Sequence, residues 1–208
     1  MRFLSVEPAG EGYRSVIAEG PDPVARPGET LVRVAASGVN RADLSQIAGR
    51  YPPPEGEPEI LGLELSGTVV ATGEPVCALV AGGAHAELAA VPDGQLMPVP
   101  EGTGLVEAAG IPEAFLTAFS NLAVEGGLGR GGHALVHAGA SGVGLAAIQT
   151  AKYLGASVAA TTRSAAKLPA LRDAGADLAI DTGAGRFEEA IERAWGRDVV
   201  DVVLDPVG

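Results

Sequence analysis

The residues best suited to bind a charged ligand lie in a glycine-rich turn in the second half of the chain. The turn reads Gly139, Ala140, Ser141, Gly142, Val143 and Gly144. An apolar run at residues 134–138 precedes it, and small and apolar residues with helical spacing follow it. Glycine allows close backbone approach, and the free N–H groups and the dipole of a helix N-terminus favour an anion. A strand, a glycine turn and a helix in series predict a site for the pyrophosphate of a dinucleotide. Serine replaces the second glycine of the common fingerprint, and the alternative interpretation is a turn that serves only packing.

The residues about twenty positions further on bear on which dinucleotide binds. An NAD site usually has a carboxylate there to hold the ribose hydroxyls. In this chain Thr162 occupies that position, and no carboxylate occurs before Asp173. The polar residues that follow are Arg163, Ser164 and Lys167. Such side chains can bind a 2′-phosphate, so the sequence favours NADPH, with ordinary solvated surface residues as the alternative interpretation.

The segments after the turn alternate between strand and helix patterns. Beyond the helix that starts at about Gly142, we predict a strand at 157–162, a helix at 165–174, a strand at 177–181, a helix at 186–195 and a strand at 199–204. Such alternation is typical of a parallel, doubly wound sheet of the α/β class.

The first hundred residues contain short apolar segments separated by Gly and Pro turns, which predicts an irregular β-barrel or sandwich. The predicted strands are residues 2–6, 14–18, 30–36, 65–71, 76–80 and 86–91. From residue 101 the spacing becomes helical, and Pro112 interrupts it, so we place a domain boundary near residues 111–113.

A short helix and a long loop interrupt these strands. Residues 40–49 are predicted to be helical, with Asn40 as the N-cap and Asp43 in the first turn. A proline-rich loop follows, in which Tyr51 is the only aromatic residue. Loops of that length often line a site.

Composition and charge exclude several classes of protein. The chain has 208 residues, of which 47% are hydrophobic and 19% charged, which indicates a globular protein. Its net charge of −12 argues against nucleic acid as a partner, because affinity for phosphates comes mainly from lysine and arginine. Without an eighteen-residue apolar run or a signal-peptide pattern, we expect a cytoplasmic protein with no membrane partner. The only cysteine, Cys77, is expected to be a buried inert thiol, with a nucleophile as the alternative.

Six stretches of the sequence carry a family resemblance. They are GVNRADLSQIAGRYPPP (38–54), ILGLELSG (60–67), LMPVPEG (96–102), IPEAFLTAF (111–119), HAGASGVGLAAIQTAKYLGA (137–156) and VVLDPVG (202–208). In these stretches the chain resembles the zinc-independent quinone oxidoreductases of the medium-chain dehydrogenase/reductase superfamily, most closely the p53-inducible quinone oxidoreductase type. The stretches span nearly all of the chain.

This resemblance implies a domain organisation. Residues 1–112 would form a β-rich, GroES-like substrate and catalytic domain, and residues 113–208 an NAD(P)-binding Rossmann domain. That domain would be C-terminally incomplete, because the chain ends after the fourth strand where a doubly wound dinucleotide domain usually has six. We therefore expect a fragment or a truncated homologue of a protein that is a homodimer when full length.

The resemblance also implies roles for particular residues, with NADPH as the cofactor and a small quinone or enone as the hydride acceptor. Asn40 and Tyr51 would be catalytic, donating hydrogen bonds to a quinone oxygen or to the nicotinamide; a helix cap and loop packing are their alternative roles. Thr117 would contact the nicotinamide side, and Val207 would belong to the cofactor site. The alternative functions are an enoyl reductase of the same superfamily and a noncatalytic nucleotide-binding fragment.

No metal site is expected from the sequence. Zinc-dependent relatives carry cysteine where this chain has Asn40 and Gly-His-Glu where residues 62–64 read Gly-Leu-Glu, and one cysteine cannot supply their four-cysteine lobe. His133 and His137 lie on a predicted strand, where that spacing separates them by about 13 Å. We expect all three histidines to be structural.

Two departures from the family pattern affect these expectations. A stretch that relatives carry is missing between Thr72 and Pro75, which predicts a shortened or absent hairpin. A tyrosine that packs at the adenosine phosphate in relatives is Thr182 here, which weakens the argument for NADPH.

Overall fold

The computed structural model of the chain describes residues 1–10 and 12–207. Gly208, where the predicted second domain and the last resembling stretch end, lies outside the described residues. The chain folds into two compact units, Met1–Glu113 (unit 1) and Ala114–Gly208 (unit 2).

Unit 1 is built mainly from antiparallel strands. The strands are β1 (Arg2–Ala9), β2 (Gly12–Glu19), β3 (Glu29–Ser37), β4 (Glu64–Val69), β5 (Pro75–Leu79), β6 (Leu88–Pro92) and β7 (Leu96–Pro98). Five of them form a sheet in the order β6-β3-β4-β5-β7, and β1 and β2 form a separate hairpin. The core of the sheet consists of buried aliphatic side chains, among them Val32, Leu65 and Val91. All six predicted strands are present. In place of the predicted barrel or sandwich, the strands of unit 1 form one hairpin and one five-stranded antiparallel sheet.

The connection between β4 and β5 is short but regular. The N–H of Gly73 donates to the carbonyl oxygen of Val69 at 2.8 Å, and the N–H of Val69 donates to that of Glu74 at 2.9 Å. Gly73 has a positive φ of 75°, which glycine adopts without strain. The hairpin is therefore present and shortened, and it closes as a tight turn. The alternative prediction, that the hairpin is absent, is wrong.

Unit 1 contains the helices α1 (Arg41–Ile47) and α2 (Leu105–Ala108), and α3 (Pro112–Phe119) begins in its last two residues and continues into unit 2. Pro112 begins α3 instead of interrupting a longer helix, because a proline in the first turn removes an N–H that has no helical partner there. A π-helical segment, Ser120–Glu125, continues directly from α3.

Unit 2 alternates strands and helices. Its elements are β8 (His133–Val136), α4 (Gly142–Tyr153), β9 (Ser157–Thr162), α5 (Leu168–Asp173), β10 (Leu178–Asp181), α6 (Phe187–Trp195) and β11 (Val202–Leu204). The four strands are parallel, in the order β10-β9-β8-β11.

Alternate residues of the central strands of unit 2 belong to different cores. Ala134 and Val136 of β8 lie in one buried cluster, whereas Leu135 between them lies in another with Ile180 and Ile191. Because side chains alternate between the faces of a strand, both faces of the sheet are covered. The predicted α/β class and doubly wound parallel sheet are confirmed.

Three predicted elements of unit 2 differ from the structure by more than one residue. The first strand ends at Val136, because Ala138 has a positive φ of 48° that a strand cannot accommodate. The fourth strand begins only at Val202, three residues later than predicted. The helix predicted at 165–174 is a 3₁₀ turn, Ala165–Lys167, followed by α5.

None of the helices among the described residues is long and apolar enough to span a membrane.

Candidate functional site

The glycine turn of unit 2 lies between β8 and α4 and leaves N–H groups available to a ligand. Ser141 is the N-cap of α4, and its Oγ accepts a hydrogen bond from the N–H of Gly144 at 3.0 Å. The N–H groups of Gly142 and Val143, the next two in the helix, have no hydrogen-bond partner among the described residues. The first turn of this twelve-residue helix therefore offers two donors together with the positive end of the helix dipole.

The three glycines of the turn differ in what a side chain at each position would contact. A Cβ on Gly144 would lie 2.5 Å from the carbonyl oxygen of Ala138, and one on Gly139 would lie 2.9 Å from the Cβ of Ala160. Both positions are therefore closed by the protein itself. A Cβ on Gly142 would meet no atom within 4 Å, so the space above this residue is open.

A cavity of about 640 Å³ adjoins this turn. Its walls are formed by His137, Ala138, Ala140, Ser141, Thr161, Thr162, Arg163, Ser164, Lys167, Thr182, Phe187, Asp205 and Val207. These residues follow, or lie at, the carboxyl ends of the four parallel strands, which is where open α/β sheets bind ligands. Seven of the residues that the sequence singled out for a cofactor lie in this wall: Ala140, Ser141, Thr162, Arg163, Ser164, Lys167 and Val207.

The charged residues of the cavity are mixed in sign. Arg163 and Lys167 are exposed, whereas Thr162, at the end of β9, is buried. Asp205 also lines the cavity, and its Oδ1 accepts a hydrogen bond from the N–H of Val207 at 3.0 Å. No carboxylate stands at the end of β9, and two cations follow it.

Sequence reasoning missed two aromatic residues of this wall. His137 Nδ1 shares a hydrogen bond with Thr161 Oγ1 at 3.0 Å, and the His137 ring packs edge-on against Phe187 with 4.9 Å between centroids. Thr182 donates from its Oγ1 to the carbonyl oxygen of Thr162 at 3.2 Å. The sequence could have placed His137 at the site, because this residue comes directly after β8 and the carboxyl ends of the strands form the cavity.

The catalytic candidate of unit 1, Asn40, stands at the start of α1 between two buried carboxylates. Its side-chain Nδ2 donates to Glu64 Oε1 at 2.8 Å, and its backbone N–H donates to Asp43 Oδ2 at 2.6 Å. Asp43 and Glu64 are each only 3% exposed. Sequence reasoning assigned Asp43 to the first turn of the helix and gave Glu64 no role; its place inside the apolar run ILGLELSG was the available signal.

Asp43 contacts three residues, Asn40, Gly62 and His85. Its Oδ1 accepts from the N–H of Gly62 at 3.2 Å, and its Oδ2 lies 3.7 Å from His85 Nε2. Burial raises the pKa of the Asp43 carboxyl, but His85 and the backbone N–H groups of Asn40 and Gly62 outweigh burial, so the pKa lies below its usual value. The side chain of His85 is only 6% exposed, and its Nδ1 shares a hydrogen bond with Ser37 Oγ at 2.8 Å.

The remaining site candidates are not among the residues that line the cavity. Tyr51 is 53% exposed in the proline-rich loop of unit 1. Thr117 lies half-buried in α3, and its carbonyl oxygen accepts from Asn121 Nδ2 at 2.8 Å. Cys77 is buried, and burial raises the pKa of its thiol, which favours the inert form. Within residues 1–10 and 12–207, no three His, Cys, Asp or Glu side chains are grouped so that they could hold a metal ion.

Comparisons with known proteins identify the family of both units. Residues 26–101 match the family described as alcohol dehydrogenase GroES-like domain, and residues 142–208 match the family described as zinc-binding dehydrogenase. The quinone oxidoreductase of Thermus thermophilus, solved alone and with NADPH, is 35% identical with a TM-score of 0.85, over 100% of this chain and 67% of that chain.

An enoyl reductase and a polyketide synthase system protein are also similar to the chain. The CurK enoyl reductase structure is 26% identical with a TM-score of 0.82, over 98% of this chain and 66% of that chain. The spectinabilin polyketide synthase system protein NorB of Streptomyces orinoci is 37% identical over 94% of this chain, which spans only 9% of that protein. The chain belongs to the medium-chain dehydrogenase/reductase superfamily.

Proposed function

We propose that this protein is an NADPH-dependent, zinc-independent oxidoreductase that transfers a hydride to a quinone-like acceptor, of the p53-inducible quinone oxidoreductase type. The observation that carries the proposal is the cavity at the carboxyl ends of β8 to β11, where Arg163 and Lys167 share a wall with the glycine turn. The similarity to a quinone oxidoreductase that was solved with NADPH supports the same cofactor.

The residues of this cavity fit a dinucleotide with a 2′-phosphate. The open space at Gly142 and the N–H groups of Gly142 and Val143 suit a pyrophosphate, with Ser141 and the backbone of Gly139, Ala140 and Gly144 shaping the turn. Arg163, Ser164 and Lys167 would hold the 2′-phosphate, because guanidinium, hydroxyl and ammonium groups all donate to phosphate oxygens. When bound, NADPH supplies the hydride.

Two residues of unit 1 and one residue of unit 2 would act near the reacting atoms. Asn40 and Tyr51 of unit 1 are proposed to donate hydrogen bonds to the carbonyl oxygen of the acceptor or to the nicotinamide, and Thr117 of unit 2 to contact the nicotinamide side. Zinc independence is supported by the residue types, since Asn40 and Leu63 stand where zinc-dependent relatives have ligands. Orientation of two reactants then has to supply most of the rate enhancement.

An enoyl reductase is the second candidate function. It is supported by the similarity to the CurK enoyl reductase and to a polyketide synthase system protein. Quinones and enoyl thioesters are both conjugated carbonyl compounds, so the same hydride donor and the same oxygen-directed hydrogen bond serve both reactions.

The test is NADPH oxidation by the metal-depleted protein with two acceptors, a 1,4-quinone and a 2-enoyl thioester. The protein is chelated exhaustively, and absorbance at the NADPH band is followed with each acceptor and with NADH in place of NADPH. Faster turnover of the quinone with NADPH supports the main proposal, and faster turnover of the thioester supports the second candidate. A requirement for added zinc contradicts zinc independence.

A further inference from the structure

Glu64 is a buried carboxylate whose two oxygens have different partners. Oε1 accepts from Asn40 Nδ2 at 2.8 Å, and Oε2 accepts from the backbone N–H of Glu113 at 2.9 Å. A buried charge is costly unless it is hydrogen-bonded, so these two donors determine where the carboxylate can lie. The N–H of Glu113 belongs to the first turn of α3, where the helix dipole favours a negative charge.

The chain makes room for this carboxylate at Gly38. A Cβ on Gly38 would lie 2.6 Å from Glu64 Cδ, so any other residue at this position would displace the Glu64 side chain. Gly38 precedes Asn40 by two residues, and its missing side chain therefore allows Glu64 to reach the Asn40 amide.

The contact with Glu64 determines which way the Asn40 amide is turned. An ionised carboxylate only accepts hydrogen bonds, so it favours the NH₂ end of the amide over the oxygen end. One hydrogen of Nδ2 is donated to Glu64, and Nδ2 makes no other hydrogen bond within the described residues. The second hydrogen of Nδ2 is thus available to a ligand.

Asp43 independently holds the backbone of the same residue. Its Oδ2 accepts from the Asn40 N–H, and its Oδ1 accepts from the Gly62 N–H, so the start of α1 is tied to the segment before β4. Backbone and side chain of Asn40 are therefore held by separate carboxylates. Loss of one of them leaves the other contact in place.

We infer that Glu64 is a positioning residue that turns the Asn40 amide so that the second Nδ2 hydrogen is donated to the carbonyl oxygen of a conjugated acceptor. In the proposed reaction the acceptor takes up the hydride of NADPH, NADP⁺ forms, and a proton from water completes the reduction. Negative charge develops on the acceptor oxygen, and a donor that is already oriented stabilises it without reorganisation. The inference rests on the proposed function, which supplies the conjugated acceptor and the hydride donor.

The first test is a double-mutant cycle on turnover. Glu64→Gln keeps the size of the side chain but can satisfy only one of the two donors, so we expect kcat to fall about 10- to 100-fold with the NADPH dissociation constant unchanged. In the Asn40→Ala background, the same change should alter kcat less than about threefold. Ser66→Ala is the matched control, since Ser66 is buried on the same strand and donates instead to the carbonyl oxygen of Leu105. Equal losses in both backgrounds would make Glu64 a merely structural residue and overturn the inference.

The second test needs no enzymatic activity. Asn40→Asp places a second carboxylate against Glu64, and two carboxylates in contact share a proton, which raises the pKa of the pair. A raised pKa in the folded state means that stability is retained at low pH and is lost as pH rises through the pKa of the pair. We therefore expect the unfolding temperature of Asn40→Asp, relative to wild type, to fall as the pH rises above about 4.

Asn121→Asp is the control for the second test, because Asn121 is exposed and donates to the backbone of Thr117. If both variants show the same pH dependence, Asn40 does not face Glu64 and the inference is overturned. If Asn40→Asp alone loses stability with pH while no acceptor is reduced, the contact stands and the proposed function fails. Should Glu64→Gln not fold, the pH comparison decides whether Asn40 faces Glu64, and the turnover of Asn40→Ala decides whether the Asn40 amide acts on the acceptor.

Discussion

Arg163 and Lys167 are two cations in a cavity wall of a protein whose net charge is −12. NADPH has a 2′-phosphate that NADH lacks, so a contact to this group can discriminate between them. We expect Arg163→Ala to weaken NADPH binding about 10-fold and to change NADH binding less than twofold, because the exposed guanidinium contributes at the low end of charge-assisted contacts. Titration of both cofactors into wild type and variant measures this. The control is Arg172→Ala, which removes an exposed arginine outside the cavity wall. If Arg163→Ala weakens the binding of both cofactors equally, the assignment of Arg163 to the 2′-phosphate is contradicted.

Asp43 gives a prediction on stability that does not depend on function. Its pKa is lower in the folded protein than its usual value, so its contribution is complete above the unfolded pKa and is lost as pH falls through the folded pKa. Asp43→Asn should therefore lower the free energy of unfolding by about 1–3 kcal/mol at neutral pH. The difference from wild type should shrink below about pH 4. Denaturant unfolding at pH 7, 5 and 3 measures it, and a constant difference would show that the charge of Asp43 is not responsible.

The elements of unit 2 could be predicted from the sequence because each depends on a local pattern. The run 157–162 is β9 without any shift, and α4 begins at Gly142 as its glycine turn predicts. The end of β8 could not be found, because the positive φ of Ala138 follows from the close packing of the turn and not from its residue type. The surroundings of Asn40 were missed for a related reason: Glu64, Gly62 and His85 come from separate segments that only the folded chain brings together.

The turn between β8 and α4 separates the folding role of glycine from its binding role. Gly144→Ala forces a Cβ to within 2.5 Å of the Ala138 carbonyl oxygen, and we expect it to destabilise the fold by about 1–3 kcal/mol. Gly142→Ala meets open space, so it should leave stability unchanged or raise it by about 0.4–1 kcal/mol. The methyl group would then occupy space proposed for the pyrophosphate, and NADPH affinity should fall at least about 10-fold. Thermal unfolding and cofactor titration of both variants test this pair; undiminished NADPH binding by Gly142→Ala would place the pyrophosphate elsewhere.

At the scale of the whole molecule, each unit has a hydrophobic core of its own. Leu65 and Val91 belong to the core of unit 1, whereas Ile148 and Val158 belong to a core of unit 2. The single tryptophan, Trp195, lies at the end of α6 with its ring 4.9 Å from that of His133, so its fluorescence reports on unit 2. A ligand that binds a folded state raises its free energy of unfolding by mass action. Only residues that unfold together with the ligand-binding unit are stabilised in this way.

Adenosine 2′,5′-bisphosphate tests this division, because it has the 2′-phosphate but no nicotinamide. At about 100 times its dissociation constant it should stabilise unit 2 by about 2.7 kcal/mol, which raises the Trp195 unfolding temperature by about 10–20 °C. Hydrogen exchange of the buried Val32 and Leu65 amides should change less than twofold, since all the residues proposed for the phosphates lie in unit 2. Equal protection of both sets would mean that the units unfold together. An unchanged Trp195 transition would show that the cavity does not hold the 2′-phosphate. If NADPH slows exchange in unit 1 and the bisphosphate does not, Asn40 is favoured as a contact of the nicotinamide over a contact of the acceptor.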